Sequence, residues 1–164
     1  MIYFKLFGPK NLVSEALFFP DIPNEREVIR FLKYSKHYLY VLSQLTKAAI
    51  YTITNDRLTR VLYTLHRKGI DVRIITDDET MDSLGCTIRD LANAGVPVRN
   101  DRNLNARMHH KFIVIDDEIM LNGSFNWTRS ASAVNEENLV ATNDPEQLRH
   151  FGAQFEALWQ RFSG

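Results

Sequence analysis

The sequence contains a single cysteine, Cys86, and this scarcity excludes two kinds of site. One thiol cannot form an intramolecular disulfide, and it cannot supply a multi-cysteine zinc cluster. A net charge is also missing, because 20 basic side chains balance 20 acidic ones. No overall field therefore draws the chain to nucleic acid or to anionic lipid, and any such affinity has to come from a local patch.

Long hydrophobic runs are absent as well. Every apolar stretch falls short of the ~18 residues that a membrane span needs. Residues 1–20 lack the charged start and the unbroken apolar core of a signal peptide. Hydrophobic residues make up 45% of the chain and charged residues 24%, as in an ordinary globular protein. With 164 residues, the chain is expected to form one domain that is soluble as given.

The first half of the chain alternates between strand and helix patterns. "AAIYTIT", "IDVRIIT" and "VPVR" are typical of strands, and "NDRLTRVLYTLHRKG" and "CTIRDLANAG" predict helices between them. The first of these helices has an apolar face of Leu58, Val61, Leu62 and Leu65 and a stop at Gly69. An earlier helix is expected to start near Glu25 with Asn24 as its cap. This alternation favours parallel strands joined by crossover helices.

The second half has a different pattern. "HHKFIVID" and "IMLN" predict two strands joined by a tight polar turn, "NLVAT" a last strand, and "DPEQLRHFGAQFEALWQRF" a closing amphipathic helix. We therefore expect an α/β fold over residues 1–164, with a central mixed β-sheet flanked by helices and an N-terminal extension over residues ~1–23.

The most informative residues are two histidines and a lysine at the start of a predicted strand. Because side chains alternate across a strand, His109 and Lys111 are expected to point one way and His110 the other way, with Phe112. A metal ion would be repelled by Lys111, so a metal site is not expected here. A phosphate group suits the pair, because Lys111 supplies charge to its oxygens while neutral His109 approaches the phosphorus.

The turn "GSFN" after the next strand adds small hydrogen-bonding groups. Gly123 allows close approach of the backbone, and Ser124 and Asn126 offer donors to an anionic oxygen. Such groups would stabilise the charge that spreads over phosphoryl oxygens in a transition state. His109 is accordingly the chemical histidine, and His110 is expected to be structural.

These residues, in the order HxKx4D and then GSxN, resemble the signature of the phospholipase D superfamily, and the similarity extends from about Ala48 to Phe162. The chain looks most like the small members that carry one such motif, the bacterial Nuc-type endonucleases and the zucchini-type mitochondrial proteins. The resemblance implies that His109 is a nucleophile forming a phosphohistidine, and that Lys111, Ser124 and Asn126 hold the phosphate. It implies no metal and no other cofactor.

Two carboxylates complete the implied site. Glu137 matches the family carboxylate that accepts a hydrogen bond from Nδ1 of the nucleophile, which would leave Nε2 free to attack. Asp116 matches the motif aspartate, with a structural or orienting role. A second histidine is needed to protonate the leaving alkoxide, and His37, His66 and His150 lack the surrounding pattern. A homodimer with two His109 residues facing each other across a two-fold axis is therefore expected.

Basic residues near the motif form a possible rim for a polyanionic backbone. The segment before the motif contains Arg99, Arg102 and Arg107, and Arg129 follows the GSFN turn (the phosphate loop, residues 123–126). An ordinary charged loop explains them equally well. Trp127 either stacks on a base or packs in the core or at a dimer interface. An acidic loop, "DDETMD", is expected near the site if the ends of the parallel strands converge there.

Three functions fit the motif. A metal-independent endonuclease on single-stranded RNA or DNA is favoured by the arginines, and the alternative is a phospholipase acting on cardiolipin or another phospholipid. A catalytically silent phosphate-binding dimer is the third, and the intact motif argues against it. The zinc-binding insertion of several zucchini-type proteins is missing, so location is left open: cytoplasmic, or at the mitochondrial surface if an N-terminal anchor was removed.

Overall fold

The computed structural model describes residues 13–20, 22–34, 45–81, 85–103 and 105–163. These residues form a seven-stranded sheet with the order β1-β7-β6-β5-β2-β3-β4. The strands are β1 Ser14–Phe19, β2 Leu45–Ile50, β3 Asp71–Thr76, β4 Val98–Asn100, β5 Lys111–Ile115, β6 Ile119–Gly123 and β7 Glu137–Thr142. The β2–β3 and β3–β4 pairs are parallel and the other pairs are antiparallel, which confirms the mixed sheet predicted from the sequence.

Helices cover both faces of this sheet. They are α1 Ile22–Tyr34, α2 Asp56–Arg67, α3 Asp78–Met81, α4 Ile88–Asn93, α5 Arg129–Ala133 and α6 Pro145–Arg161. The larger core lies under α1, α2, α4 and α5. The smaller core lies under α6 and includes Phe112, Phe155 and Leu158. The single α/β domain with helices on both faces is thus confirmed.

The helix α2 shows why the sequence pattern was sufficient to predict this helix. Its four predicted apolar positions are all buried. The Asn55 side chain accepts hydrogen bonds from the backbone N–H groups of Arg57 and Leu58, at 3.0 and 3.3 Å, and so caps the first turn. Gly69 has a φ of +85°, a left-handed conformation that ends the helix at little cost for glycine.

The N-terminal part differs from the prediction. Ser14–Phe19 forms the edge strand β1, paired antiparallel with β7, in a segment to which the sequence assigned no strand. The helix α1 begins at Ile22, before Asn24, so Asn24 does not cap it. Its side-chain amide instead donates to the Phe18 carbonyl at 2.6 Å. Residues 1–12, and His37 among residues 35–44, lie outside the described residues.

The fold brings several strand ends to one edge of the sheet. β2 ends at Ile50 opposite Lys111, where β5 begins. β6 ends at Gly123 opposite Leu139, close to the start of β7. Segments that are far apart in the sequence, around residues 51, 109, 124 and 137, therefore meet at this edge.

Candidate active site

His109 and Lys111 share a neighbour, Tyr51, at the end of β2. The His109 and Tyr51 ring centroids are 4.6 Å apart, and Lys111 Nζ lies 5.0 Å from the Tyr51 centroid. His110 instead makes an edge-on contact with Phe112, with centroids 5.5 Å apart. The predicted division is confirmed: His109 and Lys111 are on one side of the chain and His110 is on the other.

Lys111 is held in place with little access to water. It is 8% exposed, and its Nζ donates to the His109 carbonyl at 2.8 Å. Burial lowers the pKa of the Lys111 ammonium, while the charge of Glu137 acts in the opposite direction. A poorly hydrated ammonium beside an exposed imidazole is a favourable place for an anion, because the anion would replace the interactions with water that the buried ammonium has lost.

Gly123 sets the turn that follows β6. A Cβ at this position would overlap the Asn138 carbonyl and lie 2.9 Å from the Leu139 Cα, so β7 occupies the space that a side chain would need. The close approach allows the Ser124 N–H to donate to the Asn138 carbonyl at 3.0 Å. Gly123 thus positions the phosphate loop against β7, and any phosphate binding by its own backbone stays a prediction.

Ser124 joins this loop to Glu137. Its hydroxyl donates to the Glu137 carboxylate in a short hydrogen bond and accepts from the Asn138 N–H at 3.1 Å. The other Glu137 oxygen accepts from the Asn135 amide at 3.2 Å. The described contacts of Glu137 do not include the His109 ring, so the hydrogen bond to Nδ1 stays a prediction.

Asn126 has unused hydrogen-bonding capacity. Its side-chain Oδ1 is buried and has no hydrogen-bond partner within the described residues. Because an amide can rotate to exchange its oxygen and nitrogen, the same position can offer N–H donors to a phosphate oxygen.

Asp116 does not belong to the active site. It follows β5, whereas Lys111 begins that strand, and five residues of extended chain span roughly 17 Å. Its carboxylate accepts from the Leu45 N–H at 2.8 Å, and its own N–H donates to the Leu45 carbonyl at 2.8 Å. Asp116 therefore pins the β5–β6 turn to β2 at the opposite edge of the sheet, in line with a structural role.

The Asp116→Asn variant should keep its activity. Asparagine keeps the Oδ1 acceptor and tolerates the φ of +54°. Burial raises the pKa of the Asp116 carboxyl, partly offset by the hydrogen bond from Leu45, so its ionisation destabilises the fold as the pH rises through the carboxyl range. In urea titrations, the free energy of unfolding of Asp116→Asn should increase relative to that of the wild type between pH 4 and pH 7. A loss of kcat of tenfold or more would contradict this structural role.

The predicted rim is only partly present. Trp127 is 1% exposed and its backbone bridges to Ile53, so it packs in the core and cannot stack on a base. Arg99 lies over the Trp159 ring at 4.2 Å and donates to its carbonyl, which gives it a structural role. Arg129 pairs with Asp56.

Two arginines remain near the motif. Arg107, two residues before His109, pairs with Glu79 at 2.5 Å. Arg102 is exposed and has a φ of +47°. A continuous basic rim is therefore not formed by these residues.

The acidic loop does converge on the site, as expected. Asp77 follows β3, is fully buried, and accepts from the Met108 N–H at 3.1 Å, which anchors the chain directly before His109. Its other oxygen accepts from the Glu79 N–H, and Asp101 accepts from the Asp78 N–H. Backbone donors thus occupy both oxygens of the Asp77 carboxylate, and Asp77 acts as a positioning group.

Sequence reasoning missed Tyr51 and the role of Asp77. Both directly follow parallel strands, and the carboxyl ends of neighbouring parallel strands meet at one edge of a sheet. That rule was the available signal for both residues. In the described segments, no helix combines the length and the apolar character needed to cross a bilayer.

Comparison with known proteins identifies a family and several relatives of this chain. The sequence model of the family described as "Cardiolipin synthase, PLD-like domain" matches residues 28–159. A mitochondrial cardiolipin hydrolase of Chlamydomonas reinhardtii is 39% identical over 93% of this chain and 76% of its own length. The human mitochondrial cardiolipin hydrolase is 37% identical over 70% of this chain, which spans 45% of that relative.

Solved structures show the same fold. Nuc of Salmonella typhimurium, a phospholipase D family member, superposes with a TM-score of 0.78 at 23% identity, covering 92% of this chain and 96% of its own. NucT of Helicobacter pylori superposes with a TM-score of 0.74 at 24% identity, covering 92% of this chain and 98% of its own.

Proposed function

The chain belongs to the phospholipase D superfamily through its PLD-like domain, and from this membership we propose that it is a metal-independent phosphodiesterase working through a phosphohistidine. The observation that carries the proposal is the exposed His109 imidazole beside the buried Lys111 ammonium. The phosphate loop and Glu137 lie at the same edge of the sheet. A nucleophile and a fixed cation at one phosphate position are what a displacement at phosphorus requires.

In the proposed reaction, His109 Nε2 attacks the phosphorus and the bond to one ester oxygen breaks. The leaving alkoxide takes a proton from an acid, and water then attacks the phosphohistidine to release the phosphomonoester and free His109. Lys111 and the Asn126 amide stabilise the charge on the non-bridging oxygens.

Ser124 and Glu137 are proposed to exchange partners when substrate binds. The Ser124 hydroxyl now donates to Glu137, so it cannot also donate to a phosphate. An arriving phosphate would draw that hydrogen bond to itself. The released Glu137 oxygen would then accept from His109 Nδ1, which fixes the tautomer that leaves Nε2 free to attack.

The acid is proposed to be His109 of a second copy of the chain. Among the described histidines, His66 lies on α2 and His150 on α6, away from the motif. A two-fold axis through the site would bring two His109 residues together, one neutral and one protonated. The rate should then depend on pH in a bell shape that belongs to the pair.

Cardiolipin is the substrate proposed first. The sequence favoured a nuclease, but the relatives at 37–39% identity are named cardiolipin hydrolases, which supports the alternative better. The chain spans about three quarters of the algal relative and under half of the human one, so the substrate is a proposal. Single-stranded nucleic acid is the second candidate, supported by the exposed Arg102 and by Arg107 near His109.

A substrate panel in excess EDTA tests the function. Bis(p-nitrophenyl) phosphate, cardiolipin liposomes and labelled single-stranded RNA and DNA are incubated with the wild type and with Lys111→Met. We expect hydrolysis that survives EDTA and falls about 100-fold in kcat in the variant, because a fixed cation at the transition-state oxygens is lost.

Each outcome of this panel has one meaning. Release of phosphatidic acid with intact nucleic acid supports the lipase, and the reverse supports the nuclease. A wild type that leaves every phosphodiester intact, or that is inhibited fully by EDTA, contradicts the proposed chemistry.

A further inference from the structure

A cleft of about 500 Å³ adjoins His109 on the α6 side of the sheet. The chain that leads into β5 forms one wall, and the last turns of α6 form the other. Its lining includes Arg107, His109, Gln154, Arg161 and Phe162. This volume is in the range of small-ligand sites, and both His109 and His110 line the cleft, whereas its lining includes no residue of the phosphate loop.

Two arginines, Arg107 and Arg161, line the cleft. Arg161 is exposed in the last turn of α6, and no described residue forms an ion pair with it. Arg107 is already paired with Glu79 at 2.5 Å. Asp101 also lines the cleft, but burial raises the pKa of its carboxyl, and one of its oxygens accepts from the Asp78 N–H. Arg161 is therefore the cation that is available to a ligand.

Both candidate substrates carry a second phosphodiester at the same chemical distance. In cardiolipin, three carbons of a glycerol join the two phosphates. In a polynucleotide, three carbons of the sugar join each phosphate to the next. A site that binds one phosphate beside His109 therefore presents the neighbouring phosphate to the same surroundings in both cases.

We propose that this cleft is a second phosphate-binding subsite, in which Arg161 holds the non-reacting phosphodiester of a substrate that carries two. The Gln154 amide and the Arg107 guanidinium supply further donors along the cleft. The subsite rests on the proposed function, since it positions the other phosphate for attack by His109. It makes the enzyme select bis-phosphodiesters over isolated diesters.

The test compares Arg161→Gln with the wild type on substrates with one and two phosphodiesters. The single-diester probe is bis(p-nitrophenyl) phosphate, and the double-diester probes are cardiolipin in mixed liposomes and a thymidine trinucleotide. We expect KM for the double-diester substrate to rise about tenfold with kcat unchanged, because the subsite binds ground state and transition state alike. The single-diester probe should be unaffected.

Arg67→Gln is the matched control, because Arg67 is also an exposed arginine in the last turn of a helix, on the other face of the sheet. It should change none of these constants. The double-diester probe whose KM rises shows whether the second phosphate belongs to a lipid or to a nucleic acid. An Arg161→Gln protein that hydrolyses both classes of probe with unchanged KM, or with equal losses, overturns the subsite while leaving the proposed function intact.

A binding measurement keeps the subsite testable without turnover. Deacylated cardiolipin keeps both phosphates, and glycerophosphoglycerol keeps one. Titrated calorimetrically into the His109→Asn protein, the two-phosphate compound should bind more tightly, and Arg161→Gln should remove that advantage. Equal affinity for the two compounds would contradict the subsite.

Discussion

We expect the His109→Asn substitution to lower kcat for phosphodiester hydrolysis by at least about 10⁴-fold while leaving the fold intact. Asparagine cannot form the phosphohistidine, so the reaction loses its covalent route. The described contact of the His109 ring is with Tyr51, and the side chain is exposed, so its loss should change the free energy of unfolding by less than about 0.5 kcal/mol. Initial rates with bis(p-nitrophenyl) phosphate in EDTA, together with thermal melts, measure both quantities.

His110→Asn is the internal control for this result. The two histidines are adjacent, but His110 packs on Phe112, and burial together with the charges of Lys111 and His109 lowers the pKa of its imidazole. We expect a loss of at most about tenfold in kcat. Denaturation at alkaline pH during turnover, which preserves the acid-labile phosphohistidine, should trap the substrate's phosphoryl group on the wild type and on His110→Asn, but not on His109→Asn. Equal losses in the two variants would contradict the assignment of His109 as the nucleophile.

The chemistry-bearing residues could be predicted because they lie within a short stretch with a regular period. Alternation along one strand was enough to separate His109 from His110. The helix α2 was equally accessible, because its apolar period and its Asn55 cap are local properties of the sequence. Local patterns of this kind depend little on the rest of the fold.

The missed features depend on contacts between distant segments. Tyr51 reaches His109 because β2 pairs with β5, and Asp77 reaches Met108 because β3 lies beside β2. The edge strand β1 pairs with β7, more than a hundred residues away, and the prolines around it suggested a loop. Asp116 belongs to the same motif as His109 but lies beyond the far end of β5, because a motif preserves spacing along the chain and an extended strand carries that spacing away from the site.

The position of the phosphate loop depends on the missing side chain of Gly123. A Cβ there would overlap the backbone of Asn138, which is part of β7 and cannot move aside by changing a rotamer. The same backbone carries Glu137 on one side and accepts from the Ser124 N–H on the other. A displacement of β7 at this point therefore changes the stability of the sheet and the geometry of the active site together.

Gly123→Ala should accordingly be among the most damaging single-methyl additions in this chain. We expect it to lower the free energy of unfolding by about 3 kcal/mol, at the upper end for an overpacked position, which corresponds to roughly 6–12 °C in Tm. The protein that remains folded should lose about 100-fold in kcat, because Ser124 and Glu137 no longer meet in the same geometry. Calorimetry and rates measured well below Tm separate the two effects.

Gly152→Ala is the matched control, since it makes the same chemical change at a buried glycine in a helix. Gly152 lies within α6, and the nearest atom that a Cβ there would meet outside the helix's own backbone is Asp117 Oδ1, at 3.9 Å, an ordinary contact. Alanine is the better helix former, so this variant should gain about 0.5–1 kcal/mol in stability and keep its activity. If Gly123→Ala and Gly152→Ala shift Tm equally, the close approach of β7 does not determine the turn. If Gly123→Ala is stable but inactive, the close approach of β7 to Gly123 affects the geometry of the phosphate loop and not the stability of the sheet.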